Sequence, residues 1–190
     1  MSHKTNTNLK NEQTIIAFYN TARQEILTRI KLRDNTLLFF IGVSSTIFAI
    51  PLVFESKSNL LLAIPYLSLG ISLIVAQHND IIGSLAAYLN KEFTKVKKKV
   101  GVSHWDDSVC LHDFHKHAML YRSFGHLTIL LLPTGISLYQ NKSMVSGTNG
   151  EKLMFWGSVL SAFIVISLSV SSYITRRRLI KSKRKVSQNE

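Results

Sequence analysis

The chain has one cysteine and three prolines, and no Asp, Glu, Lys or Arg interrupts any of four long apolar stretches. The lone thiol, Cys110, excludes an internal disulfide and a cysteine-rich zinc site. The HExxH pattern of a metalloprotease is absent, and no Gly-rich phosphate loop or acidic metal cluster is present. Ion-coupled transporters and proton relays usually carry an ionisable group at mid-membrane, so the charge-free stretches argue against that class. Acidic residues are also scarce, 11 against 23 Lys and Arg, giving a formal charge of +12.

What is present is apolar sequence of membrane-crossing length. Charge-free runs of 20, 20, 19 and 23 residues lie between Asp34 and Glu55, Lys57 and His78, Arg122 and Lys142, and Lys152 and Arg176. At 1.5 Å per helical residue each can cross about 30 Å of hydrocarbon. The third is the least apolar, with His126, Pro133 and Gly135 inside it. Lys and Arg set the orientation. Six lie before Asp34, seven between Asn79 and Arg122, and seven from Arg176 to Lys185, whereas the other connections hold only Lys57, Lys142 and Lys152. The positive-inside rule then puts both termini and the central segment in the cytoplasm. With 36 residues ahead of the first apolar run, a cleaved signal peptide is not expected.

The cytoplasmic parts carry helical periodicity. Ile15, Tyr19, Ala22, Ile26 and Ile30 form one stripe leading into the first stretch. Ile81, Ile82, Leu85, Tyr88, Leu89, Phe93, Val96 and Val100 continue the second, predicting one helix from about Leu67 to Lys99. Val109, Leu111, Phe114, Ala118, Tyr121 and Phe124 predict a further helix running into the third, with Ser103 or Asp106 as its cap. The expected fold is all-α: an integral-membrane four-helix bundle with helices extended into a small cytoplasmic bundle. Its expected organisation is a cytoplasmic amphipathic helix (1–36), two spans (37–78), a cytoplasmic extension (79–122), two further spans (123–175) and a basic tail (176–190). That tail would be attracted to anionic lipid by on the order of 1 kcal/mol per basic residue. The charged ends, Met1 to Lys10 and Lys181 to Glu190, have the composition of mobile segments.

Residues able to carry chemistry are few. His104, Asp106, Asp107, Cys110, His112, Asp113, His115 and His117 are dense, but their spacing fits no standard metal site, and Cys110 and His112 point apart on a helix. No metal, cofactor or enzymatic activity is therefore expected. Lys91, Lys95, Lys97, Lys98 and Lys99, with Lys116 nearby, would make a positive ring in an oligomer, suited to phosphates. Trp105, Tyr88 and Phe93 flank it as stacking surfaces, although the last two are equally wanted for packing. In the last stretch Ser158, Ala162, Val165, Ser169 and Ser172 share a face, and Gly42, Ser45, Thr46 and Ala49 share one in the first. Such small residues serve close helix packing or line a narrow polar path between subunits.

The string His78-Asn-Asp-Ile-Ile-Gly-Ser-Leu-Ala-Ala-Tyr-Leu-Asn-Lys-Glu-Phe93, followed by His104-Trp105-Asp106, resembles a pattern of small bacterial inner-membrane proteins and covers about Leu60 to Asp107. The whole layout resembles the four-span membrane components of anti-phage systems of the Hailong and Kiwa types. The resemblance to the Hailong type implies a nucleotidyltransferase partner whose nucleotide product controls an oligomeric membrane channel. The expected function is accordingly a gated, homo-oligomeric inner-membrane effector, a tetramer in the simplest case, controlled by a nucleotide or a partner protein. The alternative is a membrane-tethered sensor or scaffold that recruits a cytoplasmic partner without conduction.

Overall fold

Long apolar or amphipathic runs with few interior breakers favour long helices, and four of them account for nearly all of the chain. The structure, a computed structural model, describes residues 2–100 and 109–188, with side-chain surroundings for 13–54, 58–89, 93 and 120–175. The helices are α1 (Ser2–Val53), α2 (Ala63–Val100), α3 (Val109–Gln140) and α4 (Asn149–Gln188). Short 3-10 segments, Glu55–Leu62 and Lys142–Ser146, join α1 to α2 and α3 to α4. No strand occurs among the described residues. Pro65 sits in the first turn of α2, where its missing N–H costs nothing. Thr148 and Glu151 open α4 as a capping box: the Glu151 carboxylate accepts from the Thr148 N–H (2.7 Å) and hydroxyl (2.9 Å), while the Glu151 N–H points back at the Thr148 oxygen (3.5 Å).

Apolar side chains decide how the helices assemble. Leu37 and Phe40 of α1, Ile64, Ile71 and Val75 of α2, Leu130 of α3 and Val165 of α4 meet Leu61 in one buried cluster. A second cluster, Leu62, Met144 and Phe155, closes the end that holds the two 3-10 connections. We call this the connection end; the opposite one, where α1 begins and α4 finishes, is the terminal end. Hydrogen bonds fix the register. Ser68 donates to the Leu130 carbonyl (3.1 Å) and Ser137 to that of Leu61, so α2 and α3 run antiparallel. Ser158 reaches the Leu62 carbonyl (3.4 Å) and Tyr66 that of Met154 (3.2 Å), tying α4 to α2. At Gly157 a Cβ would run into the Tyr66 hydroxyl, so glycine is what lets these two helices approach.

Pro133 cannot donate the helical bond to the Ile129 carbonyl. Ser137 supplies a donor at Leu61, and one residue beyond Ile129 the Leu130 carbonyl takes both Ser68 and Thr134 (2.8 Å). Asn141, 2% exposed, donates to the carbonyls of Ser58 (3.3 Å) and Ser137 (3.0 Å) and locks the connection end.

Three segments, Gln13–Val53, Ser58–Leu89 and Asn149–Thr175, are long and apolar enough to cross a membrane. At 32 residues α3 is also long enough, but His126, Pro133, Thr134, Ser137 and Gln140 dilute its apolar run. The helix expected over Leu67 to Lys99 spans Ala63–Val100, and the stripe from Ile15 to Ile30 belongs to α1, continuous through Val53. At the charged ends, residues 2–10 and 181–188 are helical. Neither segment contains the proline or glycine that would stop a helix already under way.

Phe39 and Phe40 are neighbours on opposite faces of α1, 61% and 0% exposed. Phe40→Ala is expected to cost about 3–5 kcal/mol in reversible unfolding from detergent micelles. Phe39→Ala should stay within about 0.5 kcal/mol of the parent.

Candidate functional site

Buried polar side chains gather where α2, α3 and α4 separate toward the terminal end. Ser72, Ala76 and Asn79 of α2, Ser123 and His126 of α3, and Ser169 and Ser172 of α4 line a crevice of about 40 Å³, together with Val75, Leu130 and Leu168. That volume holds a few water molecules, and the polar lining gives them partners. Helical register puts these residues together: Ser72, Ala76 and Asn79 recur at three and four, as do Ser169 and Ser172.

A charged cluster adjoins the crevice. Arg33 of α1 is only 4% exposed. Its Nε and Nη2 both donate to Asp34 Oδ1, at 2.9 and 2.7 Å, and its Nη1 donates to Asn79 Oδ1 at 3.2 Å, across 46 residues of sequence. The carboxylate of Asp34 stays half exposed, while the Arg33 side chain is 5% exposed. Arg122 stands close enough to feel both charges. Burial lowers its pKa below the ordinary arginine value, the Arg33 charge lowers it further, and Asp34 acts in the opposite direction. Arg33 is the guanidinium paired with Asp34, and Arg122, exposed on α3, feels their charges from a distance.

The residues singled out in the sequence distribute as follows. Lys91, Lys95, Lys97, Lys98 and Lys99 belong to the last turns of α2 and Lys116 to the start of α3, but their side chains, like all of Trp105, lie outside the described residues. The side chains from His104 to His117 do so too, and no group of metal-binding residues occurs among the described ones. Of the flanking aromatics, Phe93 meets Tyr19 edge to face with ring centres 4.9 Å apart, joining α2 to α1, and Tyr88 is exposed. On α4, Ser158 is fully buried and also donates to the Met154 carbonyl (2.9 Å). Ala162 is half-buried, Val165 belongs to the core, and Ser169 and Ser172 line the crevice. The stripe therefore faces helices of its own chain. The corresponding stripe on α1, Gly42, Ser45, Thr46 and Ala49, is exposed, and Ser45 and Thr46 return their hydroxyls to the carbonyls of Ile41 (2.8 Å) and Gly42 (3.0 Å).

Sequence reasoning missed the Arg33–Asp34–Asn79 cluster. Its only signal was that each residue sits at the polar edge of a charge-free stretch, which brings them to one level once the helices fold against each other. No family model, curated protein or solved structure matches this chain.

Replacing Asn79 by Leu strands the Arg33 Nη1 group and should lower stability by about 1–3 kcal/mol. In a double-mutant cycle with Arg33→Met the two changes are expected to be less than additive, with a coupling of about 0.5–3 kcal/mol. Strict additivity in the same unfolding assay would show that the contact contributes nothing.

Proposed function

We propose that this chain is a non-enzymatic, multi-pass protein of the bacterial inner membrane, with both termini cytoplasmic, that acts as a gated homo-oligomeric effector. The observation carrying this reading is a crevice of mixed polar and apolar lining that adjoins the buried apolar cluster. Val75 and Leu130 line the crevice and belong to the core cluster with Leu37, Phe40, Ile64, Ile71 and Val165. A hydrated vestibule adjoining a layer of Leu, Ile, Val and Phe is the arrangement that gates by dewetting. Membrane insertion is supported by the outer surface, where Leu38, Phe39, Leu52, Leu132, Leu160 and Phe163 are all more than half exposed. Water would not tolerate so many contiguous apolar side chains, and lipid does. The Lys and Arg bias then puts the terminal end in the cytoplasm. α3 crosses with the others because Leu130 lies at the level of the core residues of α1, α2 and α4. The uncovered small residues of α1 supply the packing face between copies.

The input would reach the cytoplasmic extension, where the basic turns of α2 meet an anionic nucleotide or a partner protein. Such a ligand acts only by binding the open arrangement more tightly than the closed one. The anti-phage setting is the one the resemblance of layout implies.

One observation favours the rival, a tethered sensor or scaffold. The stripe from Ser158 to Ser172 on α4 is consumed inside its own chain, so it cannot line a pore between copies.

Topology is tested first. In a Cys110→Ser background, Ser146→Cys should react with an impermeant maleimide from outside intact cells, and Ser187→Cys only after the membrane is opened. The reverse pattern would reject the orientation.

Gating is tested by ion flux from liposomes. Leu130→Ser and Val165→Ser, which wet the seal, are expected to leak at least about tenfold faster than the parent. With nucleotides or short oligonucleotides inside the assay, replacement of Lys95, Lys97, Lys98 and Lys99 by Gln should abolish any response of the parent. Impermeable seal variants of unchanged oligomeric size would leave the tethered sensor.

A further inference from the structure

His126 is the one side chain in the four charge-free stretches whose charge changes near neutral pH. It stands four residues past Arg122, one helical turn inside the polar edge of α3. There it lines the crevice between α2, α3 and α4. The fold thus gives a titratable ring an inward position that neither the apolar seal nor the lysine-rich turns of α2 make use of.

The surroundings decide what a proton on that ring would do. α2 contributes Ser72, Ala76 and Asn79 to the lining, α4 contributes Ser169 and Ser172, and α3 itself adds Ser123, all of them uncharged. No carboxylate lines the crevice among the described residues. The titratable and charged groups beside these walls are His78 and Asp80, flanking Asn79 on α2, Tyr173, next to Ser172 on α4, and Arg122 on α3. Asp80 and Arg122 are exposed. From α1, Arg33 reaches the lining through Asn79 Oδ1, and its charge is matched by Asp34, which is not part of the lining. Hydroxyls and an amide can hydrogen-bond a neutral imidazole or an imidazolium, but they cannot neutralise the second. A crevice of about 40 Å³ holds few waters to screen it. The charged ring is therefore better accommodated where the three helices stand further apart and more water enters. The ties of Ser68 to Leu130, Ser137 to Leu61 and Ser158 to Leu62 all lie on the connection side of the crevice, which leaves its terminal side the freer to open.

We propose that His126 is a pH sensor: uptake of one proton by its imidazole shifts the crevice between α2, α3 and α4 from a narrow arrangement to a wider, hydrated one. The proton comes from water at the terminal end, and no other bond is made or broken. It acts only because the wider arrangement holds it more tightly than the narrow one. With the ring neutral the narrow arrangement is favoured, and acidification through the imidazole range favours the wide one. That the sensed compartment is the cytoplasm rests on the orientation proposed above. The movement itself does not, and it does not require that the bundle conduct.

The test is a distance measurement on the full-length protein in phosphatidylcholine nanodiscs. Spin labels are placed at Tyr121→Cys on α3 and Thr175→Cys on α4, both exposed, in a Cys110→Ser background. Labelled chains are diluted with unlabelled ones so that only pairs within one chain are read. Distances are recorded at about pH 8 and about pH 5.5, either side of the ordinary imidazole range. The parent is expected to move reversibly toward longer distances at the lower pH, with the ratio of the two populations changing about tenfold or more. His126→Gln, which keeps a neutral hydrogen-bonding group, should hold the short distance at both values. His78→Gln should respond as the parent does, and so should the joint variant His104→Gln, His112→Gln, His115→Gln and His117→Gln. The His126 ring resonances, assigned by their absence from His126→Gln, supply a second readout and should titrate in step with the distance change. A parent whose distances ignore pH, a full response in His126→Gln, or a ring that stays neutral while the distances change would each overturn the proposal. None of these readouts involves ion flux or a nucleotide, so this proposal and the gated-effector reading fail separately.

Discussion

A backbone carbonyl in apolar surroundings must find a donor, and the arrangement of this bundle follows from how that requirement is met. Pro133 removes an N–H from the helical ladder of α3, and Pro65 sits where the ladder of α2 has not yet begun. The hydroxyls of Ser137, Ser68 and Thr134 cover the Leu61 and Leu130 carbonyls near these two prolines. A hydroxyl can donate across a helix interface only if the backbones are close, so the same residues that satisfy the carbonyls also demand small side chains at the contacts. Gly157 against Tyr66, and Ser158 against Leu62, are the result. Individual bonds of this kind are worth well under about 2 kcal/mol in a membrane environment. Their larger effect is on register, because sliding α3 past α2 would break the pairs together.

The two ends of the molecule solve the burial of polarity in different ways. At the connection end the groups are neutral and fully used: Asn141 bridges two carbonyls, and the 3-10 segments keep the links short. At the terminal end the groups are charged, with Arg33 paired to a half-exposed Asp34, Arg122 exposed on α3 and a crevice opening beside them. A neutral, saturated end resists change, since any motion leaves a carbonyl unpaired. The charged end can exchange partners with water at smaller cost. Movement of the helices relative to one another should therefore be hinged near Asn141 and be largest around Asn79 and Ser123.

Much of the helical layout was legible in the sequence, because periodicity and freedom from breakers act locally. The stripe from Ile15 to Ile30 does enter the first apolar helix, and Leu67 to Lys99 does lie in one helix. The third apolar stretch was harder to judge for a physical reason. Hydropathy averages over all faces of a helix, and α3 turns Thr134 and Ser137 inward, onto the Leu130 and Leu61 carbonyls. The partner of a small-residue stripe was not legible, since Ser158 to Ser172 on α4 and Gly42 to Ala49 on α1 look alike in sequence. Only packing distinguishes the first, turned onto α2 and α3, from the second, left uncovered. Arg33 was hidden by its company: among the basic residues of the amino-terminal segment it looked like one more orientation charge. Its contact with Asn79 spans 46 positions and follows no local rule.

The crevice and the seal are one structure seen from two sides. Val75 and Leu130 present atoms to the polar cavity and to the buried cluster alike. Anything that widens the crevice must displace the side chains that close the bundle, because close-packed interiors shift between arrangements rather than stretch. Coupling between the terminal end and the apolar layer thus needs no extended chain of residues. Asn79 lies one helical turn from Val75 on α2, with Ser123 and His126 leading to Leu130 on α3. A change in helix spacing at Asn79 and Ser123 would reach the seal within about two turns of helix. Water entering among Leu37, Phe40 and Val165 would meet few hydrogen-bonding partners, the buried Ser44 hydroxyl aside.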